Sequence, residues 1–183
     1  MTTITAIAIP GSLRTGSINR AALAAAAELA PAGFEITIHG LEGIPLYNAD
    51  DERAAGFPPP VDALREAVAG ADALLIATPE YNSSTTGALK NAIDWLSRRP
   101  DSPLAGKPAA ILGAGGRFGT LRAQLHLREI LLGNQVDLVL FPQVMIDLAS
   151  TRFDDDLRLT DERFRDQIER LLTALVDKVT SRN

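Results

Sequence analysis

The chain contains no cysteine. That excludes disulfides, thiolate nucleophiles and cysteine-built metal or cluster sites together. Histidine is nearly as scarce: His39 and His126 are the whole supply in 183 residues, which argues against a histidine-built metal centre. Long apolar runs are missing too, since nothing approaches the ~18 residues of a membrane span. The first residues, Met1-Thr2-Thr3-Ile4, lack the basic flank, apolar run and small-residue cleavage site of a signal peptide, so the cytoplasm is the expected location. Positive charge is in deficit. The formal net charge is −5, which disfavours nucleic acid as a partner and leaves room for a local basic pocket. Redox chemistry in such a chain has to come from a bound cofactor.

What is present is ordinary for one folded domain, expected to span residues 1–183: 46 % apolar, 22 % charged, with no repeat or low-complexity tract. Apolar runs alternate with helical patterns. Ile4–Ile9, Phe34–His39, Ala73–Thr78, Ala109–Gly113 and Val136–Phe141 read as strands. Between and after them, Ile18–Ala30, Val61–Ala69, Thr85–Arg98, Leu121–Leu132 and a last segment capped by Thr160 read as helices. The second strand alternates Phe34, Ile36 and Ile38 with Glu35, Thr37 and His39, as a half-exposed edge strand does. Five strands alternating with five helices predict a parallel sheet covered on both faces, in the order 2-1-3-4-5. A ligand belongs at the carboxyl ends of its strands, at the switch between the first and third.

Three loops should meet there. The first, Pro10-Gly11-Ser12-Leu13-Arg14-Thr15-Gly16-Ser17-Ile18-Asn19-Arg20, joins a buried strand to a helix start. Free N–H groups, the hydroxyls of Ser12 and Ser17, the guanidinium of Arg14 and the amide of Asn19 all suit an anion. Its spacing fits neither the three-glycine dinucleotide turn nor the P-loop, so a single phosphate monoester is the better ligand. A polar turn with a serine cap is the alternative. The second loop, Pro79-Glu80-Tyr81-Asn82-Ser83-Ser84-Thr85-Thr86, offers Tyr81 to a flat ring, with Glu80 and Asn82 as polar neighbours. That mixture suits an isoalloxazine; a loop capped by Ser84 or Thr85 is the plainer reading. The third, Gly113-Ala114-Gly115-Gly116-Arg117-Phe118-Gly119, could turn bare amides toward the flavin edge where negative charge develops on reduction, or be a surface turn.

Taken together, Gly11-Ser12-Leu13-Arg14-x-x-Ser17-x-Asn19, Pro79-Glu80-Tyr81-Asn82 and Gly87-x-Leu89-Lys90-Asn91-x-x-Asp94-Trp95 resemble the NADPH-dependent FMN reductase family over roughly residues 4–140. The resemblance implies an α/β, flavodoxin-like three-layer sandwich with a five-stranded parallel sheet. It implies FMN held without a covalent bond, with NADPH or NADH as co-substrate and a quinone, free flavin or other small oxidant as acceptor. Ser12, Arg14, Ser17, Asn19 and the backbone of Ile18 are then expected on the FMN phosphate. Pro79, Glu80, Tyr81 and Asn82 are expected along the isoalloxazine, with Gly113, Gly115 and Gly116 on the third side. No side chain is expected to act as a catalytic acid, base or nucleophile, because the chemistry resides in the flavin. Many relatives carry a serine or threonine in the third loop, where this chain has glycine, alanine and Arg117.

The rival reading is a flavodoxin-type carrier that binds FMN without turning over nicotinamide; such carriers commonly lack a cation in the phosphate loop, so Arg14 counts against it. Asp154-Asp155-Asp156 read as a solvated turn rather than a metal site. A homodimer or homotetramer is expected. Trp95, offset from the stripe of Leu89, Ala92, Ile93 and Leu96, is either an interface anchor or a cover for its own sheet; relatives pairing through this helix favour the anchor.

Overall fold

The structure is a computed structural model that describes residues 3–182. Met1 and Thr2, on which part of the N-terminal reading rests, and Asn183 lie outside the described residues. One parallel sheet organises the chain. Strands β1 (Ile4–Pro10), β2 (Phe34–Ile38), β3 (Ala73–Ala77), β4 (Pro108–Ala114) and β5 (Asp137–Leu138) lie in the order β2-β1-β3-β4-β5, and β6 (Val144–Ile146) also pairs with β4. Every pairing is parallel. The order is the one the sequence predicts, and the switch lies between β1 and β3.

The helices are α1 (Ile18–Glu28), α2 (Ala49–Ala55), α3 (Pro59–Gly70), α4 (Gly87–Leu96), α5 (Leu121–Gly133) and α6 (Glu162–Thr180). Alternation along the strands divides the core in two. Ala6 and Ala8 of β1, Leu75 of β3 and Leu112 of β4 pack with α1 and α6. Ile9, Leu74, Ile76 and Ile111 pack with α3, α4 and α5. Alanines on the first face meet Ala22, Ala25 and Ala26 of α1, so small residues on both surfaces bring helix and sheet close. Among the described residues no helix is long and apolar enough to cross a membrane.

Four expectations need correction. The fifth strand is not one run over 136–141. It is split into β5, paired with the start of β4, and β6, paired with its end. Pro142 between them has no N–H for the ladder, and Leu140 and Phe141 turn outward, 63 % and 76 % exposed. The helix expected over Val61–Ala69 starts two residues earlier, since Pro59 and Pro60 open α3, where proline suits a first turn. α2 was not anticipated. It buries no residue and so has no apolar stripe; Asn48 caps it through Asp50 N–H, and Asp50, Asp51 and Glu52 occupy its first turn. The last helix is capped by Asp161, which accepts from Phe164 N–H, not by Thr160.

Trp95 is the consequential case. It is 1 % exposed, covered by its own chain rather than projecting to a partner. Its indole N–H donates to the Pro45 carbonyl at 2.8 Å, and the rings of Tyr47 and Phe57 stand edge-on at 4.9 and 6.1 Å. Nearby, Lys107 lies beneath the end of α3 and donates to the carbonyls of Ala69 and Ala71. Burial lowers its pKa below the ordinary 10.5.

Candidate functional site

The carboxyl ends of β1, β3 and β4 carry the three predicted loops, and these enclose a cavity of 150 Å³. Ser12, Arg14, Ser17, Ile18, Asn19, Pro79, Glu80, Tyr81 and Gly115 line it, with Ala114. Asn82, Gly113 and Gly116 do not.

The first loop is built as an anion cradle. Ser17 caps α1 and accepts from Arg20 N–H at 3.3 Å, while Ser12 Oγ accepts from Arg14 N–H at 3.3 Å. Each hydroxyl keeps its own hydrogen to donate outward. The N–H groups of Leu13 and of residues 15–19 have no protein acceptor among the described residues. The guanidinium of Arg14 has no ion-pair partner there either. A helix start with a run of unspent donors, two hydroxyls and a free cation fits a phosphate monoester.

Asn19 is committed elsewhere. Its Nδ2 donates to the Ala114 carbonyl and its Oδ1 accepts from Ala114 N–H, each at 2.9 Å, in a buried setting. It ties the phosphate loop to the end of β4 and fixes the spacing of two walls of the cavity. Asn19 lines the cavity, and its side-chain amide has a positioning role there.

The second loop is a two-residue hairpin. Tyr81 and Ser84 exchange backbone hydrogen bonds, and Asn82 and Ser83 take φ of +50° and +62°, the left-handed pair of a primed turn. Asn82 therefore serves the turn, and Tyr81 is presented half exposed beside the cradle. The Glu80 carboxylate turns toward α5, accepting from Arg122 N–H at 2.9 Å and Ala123 N–H at 3.2 Å. Arg122 donates to Ser83 Oγ at 3.0 Å, and His126 Nδ1 lies 2.9 Å from Ser84 Oγ. The hairpin is thus latched to α5, and His126 is one of its latches. Thr86, not Ser84 or Thr85, caps α4 and also donates to the Gly11 carbonyl at 2.6 Å, joining the first two loops. A run of four hydroxyl residues concealed which one caps.

The third loop starts later than expected. Gly113 belongs to β4, paired with Met145; a side chain there would collide with Thr120 Oγ1 and the Thr78 carbonyl. Its glycine answers close packing, not a bare amide facing a ligand. Gly115 N–H is used by the Ile146 carbonyl. The Gly116 carbonyl accepts from Gly119 and Leu148, whose φ is +43°. Gly116 and Gly119 face each other as an antiparallel bridge, and the N–H groups of Arg117 and Phe118 have no backbone acceptor among the described residues. The aspartates 154–156 are exposed, and no group of metal-ligating side chains occurs among the described residues.

Fold and site together define a flavodoxin-like protein with a single-phosphate cradle beside an aromatic ledge. Residues 4–151 match the model of the NADPH-dependent FMN reductase family, and the chain belongs to that family. It is 54 % identical over 173 residues to an NAD(P)H-dependent FMN reductase of Pseudomonas aeruginosa, covering 94 % of this chain and 93 % of that one. A quinone reductase of Escherichia coli is 41 % identical over 171 residues, with 92 % and 91 % covered. Among solved structures, the flavoenzyme NAD(P)H:(acceptor) oxidoreductase FerB of Paracoccus denitrificans superposes with a TM-score of 0.87 at 32 % identity, over 97 % of this chain and 98 % of that one.

Proposed function

We propose that the 183-residue chain acts as one domain that holds FMN non-covalently, oxidises NADPH or NADH and reduces a small acceptor such as a quinone or a free flavin. The observation that carries this reading is the unspent donor set of the first loop, opening onto the cavity that Tyr81 borders. Ser12, Arg14, Ser17 and the N–H of Ile18 hold the phosphate, and Asn19 sets the distance between that loop and β4. The backbone of Pro79 to Asn82, with Tyr81, supports the ring system, and Glu80 keeps that support rigid through α5. A side chain at Gly115 would collide with the Gly119 carbonyl, so glycine keeps this wall of the cavity close-packed, and the free amides of Arg117 and Phe118 supply dipoles for negative charge at the ring's edge. FMN, when bound, would supply the two-electron chemistry that links nicotinamide oxidation to acceptor reduction. The protein contributes position and electrostatics, so no lining side chain has to move a proton. Steady-state oxidation of NADPH with a quinone acceptor tests the proposal. Activity that requires FMN and gives parallel double-reciprocal lines is expected; none with FMN loaded would refute it.

The cytoplasm is the proposed location, and self-association the proposed assembly, as dimer or tetramer. Its anchor is not Trp95. Leu125, Leu132 and Leu140 are 51 %, 72 % and 63 % exposed around a 770 Å³ groove along α5 and β5, and a clustered apolar face marks a contact surface. Arg128 and Glu129 both line this groove, so a second copy related by a twofold axis would bring both a cation and a carboxylate to the contact. Sedimentation of Leu132→Asp should yield a smaller species than the wild type; an unchanged mass would refute the face.

A further inference from the structure

The cradle is one end of a longer trench. Across Ser12, Arg14 and Tyr81 lies a second cavity of 340 Å³, which reaches Leu13, Gly87 and Ala88 on the first turn of α4. Those three residues also border a third cavity of 240 Å³, closed by Leu41, Ile44, Leu46 and Asn91. The trench changes character along its length. Hydroxyls and a guanidinium line the inner end, while hydrocarbon lines the outer end. Asn91 is the only polar side chain there, and both its ends are engaged: Oδ1 accepts from Tyr47 N–H and Nδ2 donates to the Pro45 carbonyl, each at 2.8 Å. The outer cavity therefore offers no charge, and its one polar side chain is tethered through both amide atoms. An apolar occupant suits it, because a polar group placed there would exchange most of its hydrogen bonds with water for contacts with hydrocarbon. Leu46 at the rim is 83 % exposed and Leu13 56 % exposed. The floor is bare, since a Cβ at Gly87 would meet nothing within 4 Å.

We propose that the outer trench is a subsite for the aliphatic tail of a lipophilic quinone, whose ring lies beside Tyr81 and whose chain runs over Gly87 and Ala88 between Leu13 and Leu46. The inference rests on the oxidoreductase reading above and names its acceptor class. Overall, the quinone gains two electrons and two protons to become a hydroquinone: NAD(P)H loses a hydride and becomes NAD(P)+, and solvent supplies the second proton. Each methylene that enters the trench should improve recognition about fourfold.

The test uses FMN-loaded protein and a series of benzoquinones carrying no chain, ethyl, pentyl or decyl, each below its micellar concentration. kcat/KM should rise with chain length by at least tenfold and then level off. Leu46→Ser should flatten the dependence, and Gly87→Leu, which fills the floor, should abolish it. Both should reduce the chainless quinone within about twofold of wild type. A redox-inert probe, the dimethyl ether of decylhydroquinone, should bind wild type in calorimetry and bind Gly87→Leu at least tenfold more weakly. Reduction of the chainless quinone with no chain-length dependence would overturn the subsite and leave the oxidoreductase reading standing. No FMN-dependent reduction of any quinone would overturn both. Loss of self-association in Leu46→Ser, with no probe binding to wild type, would assign the trench to a second copy and refute the tail.

Discussion

Asn19→Ala removes both hydrogen bonds that join the phosphate loop to β4. The Ala114 N–H and carbonyl are then buried without partners, which costs about 1–3 kcal/mol for each group. Alanine is the better helix former by about 0.5 kcal/mol, a small offset in α1. The net loss is about 2–5 kcal/mol, or roughly 4–20 °C in Tm for a domain of this size. Calorimetry of the apoprotein measures it. FMN affinity should fall as well, because the cradle and the end of β4 no longer hold a fixed distance. Asn19→Asp should fare no better, since it sets a carboxylate oxygen against the Ala114 carbonyl. A Tm within 2 °C of wild type for Asn19→Ala would refute the positioning role.

Arg14→Ala should weaken FMN binding about ten- to hundredfold, as charge-assisted hydrogen bonds are worth about 1.5–3 kcal/mol, while leaving the apoprotein Tm unchanged; Ser17→Asp should keep the α1 cap yet repel the phosphate. Flavin fluorescence titration checks both, and wild-type affinity in either would move the phosphate elsewhere. Glu80→Ala should cost about 1 kcal/mol by uncapping α5, seen as faster hydrogen exchange at Arg122 and Ala123; unchanged exchange would contradict the latch. Trp95→Ala should cost about 3–5 kcal/mol in denaturant unfolding, and a loss below 1 kcal/mol would contradict its burial. Lys107 has a folded-state pKa below its unfolded value, so the unfolded chain binds more protons between the two. Wild type should therefore gain stability relative to Lys107→Met as pH rises toward 10.5, and a relative loss over that range would contradict the burial effect.

The strand order was legible because β3 and the inner half of β4 are apolar on both faces while β2 alternates, the mark of central and edge strands. Legible too were the three loops, since a parallel sheet gathers them at one end. What escaped lies where backbone carries the meaning. Gly113 is readable both as the end of the fourth strand and as the start of the third loop; its pairing with Met145 and its packing against Thr120 place it in the strand. Glu80 and Asn82 also have structural parts that a sequence, which lists side chains without their directions, does not show: one caps α5 and the other supplies a left-handed turn. Asn19 lines the cavity, but a sequence does not show that its amide partner Ala114 lies 95 residues away. α2 carries no apolar stripe, and the cover over Trp95 depends on Pro45, Tyr47 and Phe57, from the two segments that flank α2, meeting on α4.

Anaerobic titration of the FMN-loaded protein with NADPH, followed by flavin absorbance, tests the central claim most directly. One equivalent of NADPH per FMN should bleach the oxidised flavin bands, and adding a quinone should restore them. Flavin that stays yellow with excess NADPH would identify a carrier rather than a reductase and contradict the account.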